Sequence, residues 1–145
     1  MIRLVLDCGT DCVGVLCVER GEFRVYHRGS EMPKALARIQ LADEVITYNG
    51  KIYDLPLLAQ FAGLPRHLSL PLRGTHSDMR SIRWSDEIWG SSLRSTYSEF
   101  FSEWPDVEDT YEGDIHADVL MTFELWKLWR TGRLKDASQS PNTLA

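Results

Sequence analysis

The stretch from Val45 to Leu58 reads VITYNGKIYDLPLL, and the fold that we predict depends mainly on it. Residues 44–48 form a short and mostly apolar run, which is typical of a buried strand near the centre of a sheet. Asn49-Gly50 is a turn signal. From Asp54 onward the spacing of apolar residues predicts a helix that ends at Gly63. The stretch therefore predicts a strand, a turn and a helix that begins on an aspartate.

The segments on either side predict the remaining elements of one α/β domain. On the N-terminal side we expect strands at 2–6, 13–18 and 22–28, then a helix with Ser30 as its cap and Pro33 in its first turn. On the C-terminal side we expect a fifth strand within 75–82, a helix at 91–104 stopped by Pro105, and a last helix at 114–130. We thus predict a mixed five-stranded sheet flanked by helices over residues 1–132, with a flexible C-terminal tail at 133–145.

Length and composition are those of a single globular domain. The chain has 145 residues, of which 43% are hydrophobic and 26% charged. Its first residues read as a strand and not as a signal peptide, and we expect a cytosolic protein with no membrane contact. Three cysteines, Cys8, Cys12 and Cys17, lie close together without a second cluster, so packing on strands explains them better than zinc or disulfides.

Three aspartates occupy related places in this predicted fold. Asp7 ends the first strand, Asp54 begins the helix after the fourth strand, and Asp118 lies on the inner face of the last helix. Each has a local explanation, as a turn former, a helix cap or a solvated residue. If they converge, they suit Mg²⁺ or Mn²⁺, which prefer oxygen ligands. Two such ions, about 4 Å apart, support phosphodiester hydrolysis. The net charge of −5 argues against a broad basic surface, but metal ions supply positive charge within an acidic site.

Residues 45–58 resemble the second exonuclease motif of the DEDD proofreading superfamily, in the form found in the 3′–5′ exonuclease domain of family A phage-type DNA polymerases. Residues 114–125, DIHADVLMTFEL, resemble the third motif, and residues 76–79, HSDM, resemble the strand between them. The resemblance implies a ribonuclease-H-like fold and a 3′–5′ exonuclease that acts on DNA or RNA. It also implies that Asp7, Asp54 and Asp118 bind two Mg²⁺ or Mn²⁺ ions.

The resemblance also suggests how substrate is held. It implies that Asn49 holds the motif loop or the substrate, and Lys51 is a candidate contact for a phosphate. Trp84 and Trp89 lie near Arg80, Arg83 and Arg94 in the sequence, and this mixture of basic and aromatic residues suits single strands, although loop tryptophans often cover a core. Of the arginines, Arg80 and Arg83 are the candidate substrate contacts. The expected partner is a single-stranded 3′ end, and a polymerase or replication protein is a possible second partner.

Two departures from the family pattern affect the predicted site. The first motif of the family is Asp-x-Glu, whereas this chain has Asp7-Cys8-Gly9 and lacks the Glu. The Tyr or His that precedes the third-motif Asp is also missing. Asp114 lies four residues before Asp118 and shares its helix face, so it is a candidate for a fourth catalytic and metal-binding carboxylate. Alternatively, Asp114 only begins the helix, where a negative charge suits the helix dipole.

These departures leave two other functions open. Residues 6–15, LDCGTDCVGV, are similar to the first motif of RuvC-like Holliday-junction resolvases, which share the fold and end with paired aspartates on a helix. The chain could therefore be a junction-resolving endonuclease. It could also be a catalytically degenerate exonuclease fold that binds nucleic acid or protein without cutting.

Overall fold

The computed structural model describes residues 1–65 and 67–132. The flexible tail predicted at 133–145 lies outside these residues. No helix in the described part of the chain is both long enough and apolar enough to cross a membrane.

The described residues form one mixed sheet of five strands. Strands β1 (Arg3–Cys8), β2 (Cys12–Cys17) and β3 (Glu22–His27) form an antiparallel meander. Strands β4 (Glu44–Thr47) and β5 (Thr75–Asp78) follow, and β4 pairs in parallel with both β1 and β5. The strand order is β3-β2-β1-β4-β5, so β1 lies at the centre. This topology confirms the α/β fold with a mixed five-stranded sheet.

Helices cover both faces of this sheet. Helix α1 (Met32–Leu41) crosses from β3 to β4, as a connection leading into a parallel strand must. Helix α2 (Asp54–Phe61) follows β4, while α3 (Leu93–Phe100) and α4 (Tyr111–Arg130) come after β5 and a short 3-10 helix, Met79–Ser81.

The alternation of side chains along β1 separates two cores. Leu4 and Leu6 pack with α1 and α2, whereas Val5 faces α3 and α4. Asp7 is two residues beyond Val5, so the period of the strand points it towards the same face as α4. The position of the aspartate relative to the last helix thus follows from strand geometry.

Several predicted boundaries are wrong, each for a local reason. Glu31, not Ser30, is the N-cap of α1, and it makes no side-chain capping bond. Helix α4 begins three residues earlier than predicted because the Thr110 hydroxyl accepts the Gly113 N–H at 2.9 Å. Helix α3 ends at Phe100, before the predicted Pro105 stop. The fifth strand stops at Asp78 because the chain turns there into the 3-10 helix.

Candidate active site

The carboxylate of Asp54 is fixed to the end of the central strand. Its Oδ1 accepts the backbone N–H of Cys8 at 3.1 Å, and the residue is only 1% exposed. The bond joins the start of α2 to the end of β1 over a sequence separation of 46 residues. Asp54 therefore lies beside Asp7, which immediately precedes Cys8.

Helix α4 brings Asp118 to the same place. The helix packs across β1, with Val119 and Leu125 in the core that also contains Val5. Asp118 and Asp7 are close enough to interact through both charge and a side-chain hydrogen bond. Three carboxylates from β1, α2 and α4 thus meet at one end of the central strand.

Burial and mutual repulsion make these carboxyl groups weak acids. Burial raises the pKa of Asp7 from 3.8 to about 9, and the charges of Asp54 and Asp118 add to the effect. Burial raises the pKa of Asp54 to about 7, although the hydrogen bonds from Cys8 oppose the change. Burial also raises the pKa of Asp118, against the charge of Arg94. Without a cation, Asp7 therefore keeps its proton at neutral pH, and its hydrogen bond with Asp118 favours the protonated form of Asp7 and the ionised form of Asp118.

The donor atoms suit a hard divalent cation, but the arrangement is not a finished metal site. The Oδ2 of Asp54 is buried and has no hydrogen-bond partner among the described residues, which leaves a carboxylate oxygen available. Within residues 1–65 and 67–132, however, no group of three or more His, Cys, Asp or Glu side chains could hold a metal ion as it stands. Metal binding at Asp7, Asp54 and Asp118 would therefore require their side chains to adjust.

The predicted fourth carboxylate lies at the edge of this cluster. Asp114 is exposed in the first turn of α4, and its charge raises the pKa of Asp118, behind burial as the larger cause. Neither Asp7 nor Asp54 has Asp114 among the main influences on its carboxyl group. The structure thus brings Asp114 towards Asp118 but not into the group formed by the other three.

Asn49 lies in the loop before Asp54, and hydrogen bonds to Asp78 and from Arg80 hold this loop in place. Asn49 has a positive φ of 73°, and its N–H donates to Asp78 Oδ1 at 2.6 Å. The other carboxylate oxygen of Asp78 accepts the Lys51 N–H at 3.2 Å, and Arg80 donates to the Asn49 side-chain oxygen at 3.2 Å. The Lys51 side chain is exposed. Asn49 and Arg80 thus hold the loop, while Lys51 is accessible to a ligand.

The predicted basic and aromatic mixture separates into core and surface. Trp84 is fully buried, and its indole N–H donates to the Met79 carbonyl at 2.9 Å, so stacking of bases on Trp84 is ruled out. Trp89 is 67% exposed and lies beneath Arg83, whose guanidinium also pairs with Asp86 at 3.0 Å. Arg83 and Trp89 form the part of this mixture that a strand could contact.

Three residues that we did not include in the site lie around the carboxylates. Arg94 is exposed on α3, near enough to lower the pKa of Asp118, and lies over the Trp104 ring at 5.9 Å. Tyr53, 49% exposed, and Tyr111, 56% exposed, flank Asp54 and Asp7. Tyr111 was missed because the predicted last helix began three residues after it. The sequence places Arg94 in the basic and aromatic mixture, but no spacing rule pairs it with Asp118.

Comparison with known proteins agrees with the fold. Among solved structures, the chain is similar to the family B DNA polymerase from the hyperthermophilic archaeon Pyrobaculum calidifontis, with a TM-score of 0.62 and 14% identity. The similarity covers 88% of this chain but only 24% of the polymerase chain, so it concerns the fold. Comparison with curated protein sequences finds no match. The model of the RNase_H superfamily matches residues 7–139, and the chain therefore belongs to the ribonuclease H superfamily.

Proposed function

We propose that this chain is a metal-dependent nuclease, and specifically a 3′–5′ exonuclease that hydrolyses the phosphodiester bonds of DNA or RNA. The observation that carries the proposal is the meeting of Asp7, Asp54 and Asp118 at one end of the central strand, with a buried and unpartnered oxygen on Asp54. Superfamily membership supports nuclease chemistry in general. The exonuclease assignment rests on the resemblance of residues 45–58 and 114–125 to exonuclease motifs.

In this proposal the three aspartates hold two Mg²⁺ or Mn²⁺ ions. The chemistry that such ions supply is activation of the attacking water and stabilisation of the leaving oxygen. Asp54 keeps its orientation because the Cys8 N–H holds one of its oxygens. Asp114 is retained only as an outer candidate ligand, since it is exposed and acts on Asp118 alone.

Substrate contacts come from basic and aromatic residues at the rim. Lys51 and Arg94 are both exposed, Lys51 on the loop before α2 and Arg94 on α3. Arg83 with Trp89 offers a further contact, whereas Asn49 and Arg80 act by holding the loop. Because the similar solved structure is a DNA polymerase, we include a polymerase among the candidate protein partners.

A nuclease assay on labelled substrates tests the proposal. A single strand labelled at its 5′ end should shorten one nucleotide at a time with Mg²⁺ or Mn²⁺, and should remain intact with EDTA. Asp54→Asn and Asp118→Asn should reduce cleavage to the level seen with EDTA. Asp106→Asn is the matched control, because Asp106 is exposed in the loop between α3 and α4 and is not among the groups that shift the pKa of Asp7, Asp54 or Asp118.

Two other results would replace the proposal with a different function. Cleavage of a four-way junction at paired internal positions would indicate a resolvase-like endonuclease. A second candidate is a binding module without activity, which is favoured by Gly9 in place of the family Glu and by the lack of a ready metal-holding group among the described residues. Binding of strands with no metal-dependent cleavage of any DNA or RNA would support that module.

A further inference from the structure

Gly9 and Tyr111 fit together next to the carboxylates. Gly9 follows Asp7 by two residues, and Tyr111 is the first residue of α4. A Cβ atom at position 9 would overlap the Tyr111 hydroxyl oxygen and would lie 2.9 Å from its Cζ. The end of the Tyr111 side chain thus takes the space that a side chain at position 9 would need.

The Tyr111 hydroxyl has one hydrogen-bonding role fixed and another left open. The backbone N–H of Thr10 donates to the phenol oxygen at 2.8 Å. A phenol can accept and donate at the same time, so its own O–H can still donate to a ligand. The residue as a whole is 56% exposed, so its side chain lies at the surface, with the hydroxyl end against Gly9 and Thr10.

The surroundings of this hydroxyl favour an uncharged ligand group. Asp7 lies two residues from Gly9, and Tyr53 is close enough to Asp7, Asp54 and Tyr111 to interact electrostatically with all three. Asp11 and Glu112 are the neighbours of Thr10 and Tyr111 in the sequence, so a bare phosphate would meet negative charge here, except where a cation binds it. A neutral sugar hydroxyl has no such cost, and its oxygen can accept the phenol proton.

We propose that the Tyr111 hydroxyl donates a hydrogen bond to the terminal 3′-hydroxyl of a bound strand, from the space that Gly9 leaves. This inference rests on the proposed exonuclease function, because it requires a 3′ end at the carboxylates. It makes Tyr111 a substrate-positioning residue supplied by α4, in place of any group at position 9.

A cycle that removes either hydroxyl tests this contact directly. Fluorescent single strands ending in a 3′-hydroxyl, a 3′-deoxy sugar or a 3′-phosphate are titrated by anisotropy with wild type and Tyr111→Phe. The titrations contain Ca²⁺ in place of Mg²⁺ to limit cleavage. Wild type should bind the 3′-hydroxyl strand about 3- to 10-fold more tightly than the 3′-deoxy strand, the range expected for one net hydrogen bond. Tyr111→Phe should bind those two equally, with its affinity for the 3′-deoxy strand unchanged.

Tyr26→Phe is the matched control. The Tyr26 phenol also accepts a hydrogen bond, from Arg38 at 2.8 Å, but it lies in the core beneath α1 on the other face of the sheet. This variant should keep the wild-type preference for the 3′-hydroxyl, even if its stability falls. The 3′-phosphate strand should bind less well than the 3′-hydroxyl strand to wild type.

Each other outcome overturns the inference. Equal binding of the 3′-hydroxyl and 3′-deoxy strands by wild type shows that no group reads the terminal hydroxyl, and this result needs no variant. A preference that survives in Tyr111→Phe assigns the reading to another residue. An equal loss for both strands indicates that Tyr111 only supports the Thr10 backbone. If the cleavage assay succeeds in any of these cases, the exonuclease function stands and only the Tyr111 contact fails.

Discussion

Replacing Asp54 with asparagine should stabilise the metal-free protein while abolishing its activity. The carboxylate of Asp54 is almost completely buried, and this burial is the main reason why its pKa is raised from 3.8 to about 7. At about 1.36 kcal/mol per pH unit, keeping Asp54 ionised in the folded protein costs about 4 kcal/mol above pH 7. Asparagine removes that charge and still offers an oxygen to the Cys8 N–H.

The sign of the pH dependence follows from the raised pKa. Between pH 3.8 and about 7 the folded state binds the Asp54 proton more tightly than the unfolded state does. Stability from this group is therefore complete below pH 3.8 and is lost as the pH rises towards 7. The advantage of Asp54→Asn should accordingly be about 4 kcal/mol at pH 8 and about 1.5 kcal/mol at pH 5. Asp7, with a pKa of about 9, gives the wild type a further loss of stability up to that pH, and this loss should be smaller in Asp54→Asn because the charge of Asp54 contributes to the raised pKa of Asp7.

Urea unfolding followed by tryptophan fluorescence measures these differences, because Trp84 and Trp126 are buried. Titrations of wild type, Asp54→Asn and the control Asp106→Asn in EDTA at pH 5 and pH 8 give the free energies of unfolding. Adding Mg²⁺ at about 100 times its dissociation constant should stabilise wild type by about 2.7 kcal/mol and Asp54→Asn by much less. If Asp54→Asn is no more stable than wild type in EDTA at pH 8, the claim that the ionised Asp54 carboxylate destabilises the metal-free protein is refuted.

Three further substitutions test the parts that position the site. Asp78→Ala removes the charged acceptor of three backbone N–H groups, which lie in the loop before α2 and in the turn after β5. The free energy of unfolding, measured by urea titration, should therefore fall by about 3 kcal/mol. A fall of less than about 0.5 kcal/mol would contradict the role of Asp78 in holding the loop. Gly9→Ala places a methyl group against the Tyr111 hydroxyl and should cost about 1–3 kcal/mol in the same assay, and pairing it with Tyr111→Ser should recover most of the loss. Thr110→Ala removes the cap of α4 and should cost about 1 kcal/mol while kcat changes little, because Asp118 lies two turns further along; a large fall in kcat would show that the cap sets the geometry of the site.

The sequence predicted the sheet better than the ends of its helices. Apolar runs and alternation located the strands within about two residues at most ends, because burial on one or both faces imposes that pattern directly. Helix ends depend on which side chain reaches a free N–H. Thr110 makes the capping hydrogen bond at the start of α4, whereas Ser30 does not cap α1. Single residues with similar capping ability cannot be ranked from sequence alone.

The sequence predicted those parts of the candidate site whose positions depend only on the topology of the fold. Asp7, Asp54 and Asp118 come together because a strand end, a helix start and an inner helix face have fixed relations in this fold. Their roles in metal binding and cleavage remain predictions. Tyr111 was missed, and Arg94 was noted only with the basic and aromatic mixture. Their proximity to the carboxylates depends on the exact start of α4 and the angle of α3, which no periodicity encodes.

The bond between the Cys8 N–H and Asp54 joins the last residue of the central strand to the first residue of α2. The Cys8 amide can therefore exchange its hydrogen with solvent only when these two elements separate at that point. Such a separation also releases the Asp54 carboxylate from its fixed orientation. The exchange rate of this one amide should thus measure how often the candidate site comes apart, whether by a local opening or by unfolding of the whole domain.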